Sequence, residues 1–502
     1  MNKKSLFTLS AAISGGILAT LTAQTAPAPA AASAIPTQPA TPATSVPAAG
    51  TDPKNQILTT AETLNVGGAP STAPAATTAP ARAARAAPSQ KVAGIQAIST
   101  TSSYKFYFGT GDAPAGYTKI TADMAYNDAR GYGFDGNTTA SIITKKIDGK
   151  PDVNIATTDK LFFFSTALPE GNYKVTVTMG NPDVATDVSA LAELRRLMLE
   201  NVQTKPGEYV TKTFTVNIRT PQYPNGAVNL KAPRESTDEA WDWDKGLTLE
   251  FIGDHPSISD LRIEKVDVPT VYVVGDSTSC DQVVEPYNSW GQTITRFLKA
   301  DVAVANLGES GETIGDNLGR HRFDKIYSLM KPGDYIFITS GHNEKNGKNG
   351  NMTFDQAFYD DYKQIVGKSR ALGGLPVLVT PISRAPGSAS LGPYPGELQK
   401  LATDENVPII DLNASSATFY RAVPDYHAVF ATRSEATHNN DYGSYEVSKM
   451  LITGIRQLKL PLAKSIVDDF TDFDPAKPDA LESFKVVPTP KPGAPIDKPA
   501  GS

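Results

Sequence analysis

The sequence predicts an α/β unit, a parallel five-stranded sheet flanked by helices, preceded by an antiparallel β-sandwich. Three observations carry that expectation. From Ser103 to about Val266 apolar residues recur with a period of two, the mark of half-buried strands. Beyond Pro269 short apolar runs alternate with longer amphipathic stretches, as in a parallel sheet covered by helices. The chain has 502 residues, enough for two or three domains and a sizeable core. A peptide hormone or a lone small binding module is therefore a poor description of the whole.

The first 30 residues read as a secretory signal. Lys3 and Lys4 precede an apolar, small-residue stretch from Leu6 to Leu21, which implies export to the periplasm or the medium. A retained N-terminal anchor is the alternative. Of the 25 residues from 26 to 50, 21 are Ala, Pro, Thr or Ser, side chains too small to offset the ordering of their own backbone. Residues 31–98 are accordingly expected to be a disordered linker. No later stretch is long and apolar enough to span a bilayer. Lys and Arg total 47 against 53 Asp and Glu, a formal charge of -6, so the balance does not suggest a nucleic-acid partner. Cys280 is the single cysteine and permits no intrachain disulfide.

The β-rich region is expected over residues 99–268. Tyr104, Phe106 and Phe108 alternate with other residues, as do Tyr173, Val175, Val177 and Met179, then Phe214, Val216 and Ile218, and then Leu261 and Ile263. Gly131, Gly133, Gly136, Pro169, Gly171, Pro206 and Gly207 supply the turns. Residues 189–199 suggest a short helical turn. Trp241 and Trp243, flanked by acids, suit either a sugar-stacking platform or a plug at the domain boundary, with the plug favoured by their nearness to the hinge.

The α/β unit is expected over residues 269–465, with strands at 271–275, 302–306, 335–339, 375–380 and 407–411. Trp290, Ile294, Phe297 and Leu298 form one helical face, Phe354, Phe358, Tyr362, Ile365 and Val366 another, and Val447, Met450, Leu451 and Ile455 a last one. Residues 466–502 read as an extended tail that packs back through Phe470, Phe473 and Phe484 and frays after Pro488. Ligands meet such sheets at the carboxyl ends of the strands. By that rule Tyr394 and residues 381–395 are expected to line a groove.

Four polar islands follow strand ends: 275–278, Asn306 with 309–313, 341–344 and 435–438. Ester cleavage needs a hydroxyl, a histidine to take its proton, a carboxylate to hold the imidazole, and donors aimed at the oxyanion. Ser277, His438, Glu435, and the Gly311 N–H paired with the Asn343 amide supply that set. Simpler roles stand beside these: Ser277 as a helix cap, His438 as a buried residue at the start of the last helix, and both asparagines as ties between loops. Asp276 can orient the first loop and Thr278 can cap the helix after it. His255, His321, His342 and His427 show no metal-ligand spacing with one another or with Cys280, which itself reads as a small buried sulfur. A cysteine nucleophile would leave Ser277 and Asn343 without a purpose.

Those four islands, in that order, resemble the SGNH or GDSL hydrolases, and within them the rhamnogalacturonan acetylesterase group. Gly275-Asp276-Ser277 is similar to the first block, Asn306 and Gly311 to the second, Gly341-His342-Asn343 to the third, and Thr437-His438 with Asn439, Asn440 and Gly443 to the last. The resemblance covers about Val271 to Leu458. It implies Ser277 as nucleophile and His438 as general base. Gly311, Asn343 and the Ser277 N–H would be the oxyanion donors. Two positions depart from the pattern, since Glu435 and Glu344 stand where aspartate is usual. A glutamate carries its oxygens farther out by about 1.5 Å, so the alternative is a Ser–His dyad with a backbone carbonyl holding the ring. The preceding region resembles galactose-binding-like sandwiches.

The function this resemblance implies is removal of O-acetyl groups from rhamnogalacturonan or a related pectic polysaccharide, with an acetylated plant-type glycan as partner and no metal or organic cofactor. Alternatives are a broader carbohydrate or aryl acetylesterase, a glycan-binding protein that lost turnover, and a structural or adhesive role at the cell surface.

Overall fold

The computed structural model describes residues 102–146, 148, 151–344 and 356–489. The expected signal and linker, Phe354 of the second helical face, and the tail beyond Thr489 lie outside the described residues.

The β-rich region is two facing sheets. One has seven strands, in the order Val210–Ile218, Gly171–Met179, Ser257–Val266, Ser103–Tyr107 and Thr118–Lys119, with Val153–Thr157 and Ser141–Lys145 branching from the third. The other has five antiparallel strands, Tyr132–Asp135, Phe162–Ala167, Gly246–Asp254, Thr186–Ala192 and Arg196–Thr204. The period of two does what it predicts. Tyr173, Val175, Val177 and Met179 all face inward and meet Phe164, Leu249, Phe251, Leu261 and Ile263 in one core. Apolar burial of this kind contributes about 25 cal/mol per Å², and the alternation fixes the register, since a one-residue slip would expose the whole set.

Residues 189–199 correct the expectation of a helical turn. Thr186–Ala192 and Arg196–Thr204 form a hairpin through Glu193, Leu194 and Arg195, with Glu193 and Arg195 at positive φ. The Leu191, Leu194, Leu197 spacing that imitates a helix is the buried side of a bulged hairpin, all three packing in a small cluster with Trp241.

Between Ile218 and Gly246 the chain leaves the sandwich. This excursion carries a two-stranded ribbon, Gln222–Tyr223 with Gly226–Ala227, and two short helical turns at Arg234–Asp238 and Ala240–Asp242. Trp241 and Trp243 are both buried, the first against Phe163 and the second in the same cluster as Val274 and Phe323 of the following unit. They plug the boundary, and neither offers a face to a sugar.

The second region is a five-stranded parallel sheet in the order Ala303–Asn306, Thr270–Val274, Tyr335–Ile338, Leu375–Val379 and Ile409–Ile410. Its strands are buried on both faces, as parallel sheets are. Val271, Val273, Phe337 and Val377 pack beneath Trp290, Phe419 and Leu451, while Tyr272, Val274, Ile336 and Ile338 pack beneath Phe323, Phe358 and Leu398. The last helix, Asp441–Gln457, starts where Asn440 accepts from the Gly443 N–H at 2.9 Å. Gly443 is required there, because a Cβ would sit 2.2 Å from the Val429 carbonyl. The expected helical face from Trp290 to Leu298 is shorter than a full helix: Trp290–Thr293 passes into a 3-10 turn, Ile294–Phe297, and ends at extended Leu298.

The tail packs back as expected. Phe470 and Phe473 join the core of the α/β unit, and Thr489 reaches the sandwich, donating its hydroxyl to Glu250 at 3.2 Å. Among the described residues no helix is long and apolar enough to cross a membrane.

Candidate active site

Ser277 follows the strand Thr270–Val274 by three residues. Its loop is shaped by Asp276, whose carboxylate accepts from the Thr278 N–H at 3.0 Å and the Thr278 hydroxyl at 2.8 Å. Asp276 therefore orients the loop, and Thr278 is tied to it; no α-helix follows until Trp290. Asn306 acts as a tie, donating to the Ser279 carbonyl at 2.7 Å and to Asp281 at 3.0 Å. The Ser277 carbonyl accepts from Gln282 at 2.7 Å.

His438 arrives from the other end of the unit, just before the last helix, where a bridge between Phe430 and Asn439 fixes its backbone. Its Nε2 lies 2.8 Å from Ser277 Oγ, and Tyr287 stands edge-on to the ring at 5.7 Å between centroids. On the far side, Glu435 Oε2 is 3.3 Å from Nδ1. Nδ1 makes no hydrogen bond of good geometry, so the carboxylate faces it at contact distance. The longer side chain is accommodated by turning back on its own loop: Glu435 Oε1 accepts from the Ala436 N–H at 2.9 Å and the Thr437 N–H at 3.0 Å. Burial pushes this carboxyl up, but the two N–H donors and His438 outweigh it and hold it below the ordinary range. Among the described residues, Glu435 is what faces Nδ1, and no backbone carbonyl accepts from it.

Gly311 lies in the loop after Ala303–Asn306 at φ 74°, a left-handed conformation that favours glycine. Asn343 follows the strand Tyr335–Ile338, and its Nδ2 donates to the Glu312 carbonyl at 3.1 Å, which joins the third island to the second. Among the described residues nothing accepts a hydrogen bond from the Gly311 or the Ser277 N–H. Glu344 strengthens the same join, accepting from the Ile314 N–H at 2.9 Å and from the Ser340 hydroxyl. Burial raises Glu344 to about 7, with Asp276 adding to the shift and Ser340 opposing it. Its extra methylene lets it span two loops.

These groups open onto a cleft of about 740 Å³ lined by Ser277, Gly311, Asn343 and His438. The opposite wall includes Lys231, Arg234 and Asp238 from the sandwich's excursion. Sequence reasoning missed that wall, as it missed Gln282 and Tyr287. The only signal was the density of charge between 231 and 245, unusual for a connection between strands. Two other expectations are corrected or closed here. Tyr394 lines no groove: it is fully buried, with its ring 4.9 Å from that of Phe358. Cys280 is a buried thiol pushed well up by burial, with Glu309 and Glu239 adding to the shift, so it is no nucleophile. His342 is buried and belongs to the loop scaffold, where its carbonyl accepts from Arg384 at 3.3 Å.

A serine hydroxyl bonded to an imidazole at the carboxyl ends of parallel strands is the arrangement of serine-dependent hydrolases. Residues 273–444 match the GDSL-like lipase/acylhydrolase family, and residues 104–223 match a galactose-binding-like domain described for beta-agarase and YXIM esterase-like proteins. The α/β unit is thus an SGNH/GDSL-type hydrolase domain over residues 273–444. Three Bacillus subtilis proteins are similar to it. The uncharacterized esterase YxiM is 25% identical over 70% of this chain and 91% of its own. The probable rhamnogalacturonan acetylesterase YesY is 28% identical over 40% and 98%. The rhamnogalacturonan acetylesterase RhgT is 29% identical over 39% and 94%.

Proposed function

We infer that this protein is an exported carbohydrate esterase that removes O-acetyl groups from rhamnogalacturonan or a related pectic polysaccharide. The observation that carries the reading is the 2.8 Å contact between His438 Nε2 and Ser277 Oγ, with Glu435 on the other ring nitrogen. The names of YesY and RhgT supply the substrate class.

Ser277 Oγ attacks the acetyl carbonyl as His438 Nε2 takes its proton, and Glu435 stabilises the imidazolium that results. The tetrahedral oxyanion is held by the Gly311 and Ser277 N–H groups and by Asn343 Nδ2, donors already in place before the charge develops. When the intermediate collapses, the bond from the carbonyl carbon to the sugar oxygen breaks and His438 gives that oxygen the proton. A water, deprotonated by His438, then attacks the acetyl-serine. Acetate leaves, and Ser277 recovers its proton.

The test is acetate release from acetylated rhamnogalacturonan, acetylated xylan and a small aryl acetate. The reading predicts the highest kcat/KM on the pectic substrate. Equal turnover of all three would assign a broad acetylesterase, and saturable polysaccharide binding without acetate release would assign a binding protein.

A further inference from the structure

We propose that Lys231 and Arg234, carried by the sandwich's excursion, are positioning residues that clamp the oxyanion-donor peptide between Ser310 and Gly311. The sandwich would then complete the catalytic site of its neighbour. This rests on the assignment of the Gly311 N–H as an oxyanion donor.

Lys231 Nζ donates to the Ser310 carbonyl oxygen at 2.6 Å. That oxygen and the Gly311 N–H are the two ends of one planar trans peptide and point in opposite directions. Holding the carbonyl oxygen therefore sets where the N–H points. A cation on the oxygen also polarises the peptide and strengthens its N–H as a donor. Lys231 is free for this task, since no carboxylate among the described residues forms an ion pair with it. Arg234 holds the adjoining side chain, donating from Nη2 to Ser310 Oγ at 2.8 Å.

The excursion is itself anchored. Glu235 accepts the Lys231 N–H at 2.6 Å and takes both ends of the Arg322 guanidinium at 2.8 Å. Arg322, in the helix Arg322–Leu329, also binds Glu312 at 2.9 and 3.1 Å. Arg234 is fixed from behind by Glu239, and by Glu309 at 3.2 Å. Gly311 is thus held through the residue before it by Lys231 and Arg234, and through the residue after it by Arg322. Gln282 Nε2 and Cys280 Sγ also meet Ser310 Oγ, each at 3.3 Å, but among the described residues Lys231 is what holds the carbonyl oxygen of this peptide.

The experiment uses the full chain with Lys231→Met, which keeps most of the side chain's bulk and removes the charged donor. On a small aryl acetate, too small to reach across the cleft, kcat should fall roughly tenfold with KM within about twofold, a partial loss of one oxyanion donor. Lys231→Arg should recover most of kcat. Amide hydrogen exchange over 307–313 should quicken in Lys231→Met. Unchanged kcat, or a rise in KM alone, would overturn the clamp. Unchanged exchange in that loop would overturn it whatever the activity. If Ser277→Ala matched the wild type, the nucleophile assignment would fail instead, and the exchange measurement would still judge the clamp.

Discussion

The β-sandwich and the α/β unit both bury many polar groups, but they place them differently. In the α/β unit the polar islands sit at the carboxyl ends of strands, where Ser277, Asn306 and Asn343 follow apolar runs buried on both faces. In the sandwich the buried charges gather at one edge: Arg195, Arg196, Arg219 and Asp242 all face the neighbour. Arg196 binds Asp242 and, across the boundary, Asp281, each at 2.7 Å. Arg195 binds the carbonyls of Gln282 and Tyr287 at 3.2 and 2.8 Å and Asp441 at 2.9 Å, and pairs with Glu285. The α/β unit carries the proposed chemistry, and the sandwich holds the loops that carry it. Buried ion pairs of this kind fix how the two regions meet, because removing one partner leaves the other as an uncompensated buried charge.

The strongest way to break this comparison is Arg196→Met. It leaves Asp242 and Asp281 with Arg219 as the cation that remains beside them, at 3.1 and 3.7 Å, and should cost about 3–5 kcal/mol in a denaturant titration. A variant as stable as the wild type would mean that the boundary contributes no net stabilisation.

Glu435→Gln sharpens the α/β side. The amide oxygen can keep both backbone donors, which turns its NH₂ toward Nδ1 and favours the wrong tautomer of His438. Acetate release should drop about 10²-fold, and an unaltered rate would remove Glu435 from the triad.

A smaller effect compares the two regions through pH. Burial lifts Glu250 in the sandwich to about 8, with Glu285 adding and Thr489 and Arg195 opposing, and lifts Glu344 in the α/β unit to about 7. A carboxyl raised above its unfolded value stabilises the fold at low pH and loses that contribution as pH rises through the folded value. The melting temperature should therefore decline by a few degrees from about pH 4.5 to about pH 8 and level off above that. Glu344→Gln should make the decline shallower below about pH 7, and Glu250→Gln should make it shallower throughout and remove its upper part. A melting temperature that climbs across the interval would contradict both assignments.

How much of this was legible in the sequence depended on range. The alternation of Tyr173, Val175, Val177 and Met179 and the five apolar runs of the parallel sheet are local patterns, and they fold as their periods dictate. The islands holding Ser277, Gly311, Asn343 and His438 were legible because strand ends of a parallel sheet converge whatever lies between them. The hairpin at 189–199 was not, because leucines spaced by three satisfy a helix and a bulged hairpin equally. Tyr394 misled because a residue in a loop after a strand need not face the cleft, and its ring found a better partner in Phe358. Lys231 and Ser310 are 79 positions apart in different folded regions, and no period or motif links them. The Trp241 and Trp243 plug was half legible: position suggested it, and only packing excluded the sugar platform.

The most direct test of the central claim is acetate release by Ser277→Ala beside the wild type, at equal concentration of folded protein. Removing the attacking hydroxyl should lower turnover by at least about 10⁴-fold with unfolding behaviour little changed. Turnover within about tenfold of the wild type would contradict the claim that the hydroxyl at this strand end is what the imidazole of His438 activates.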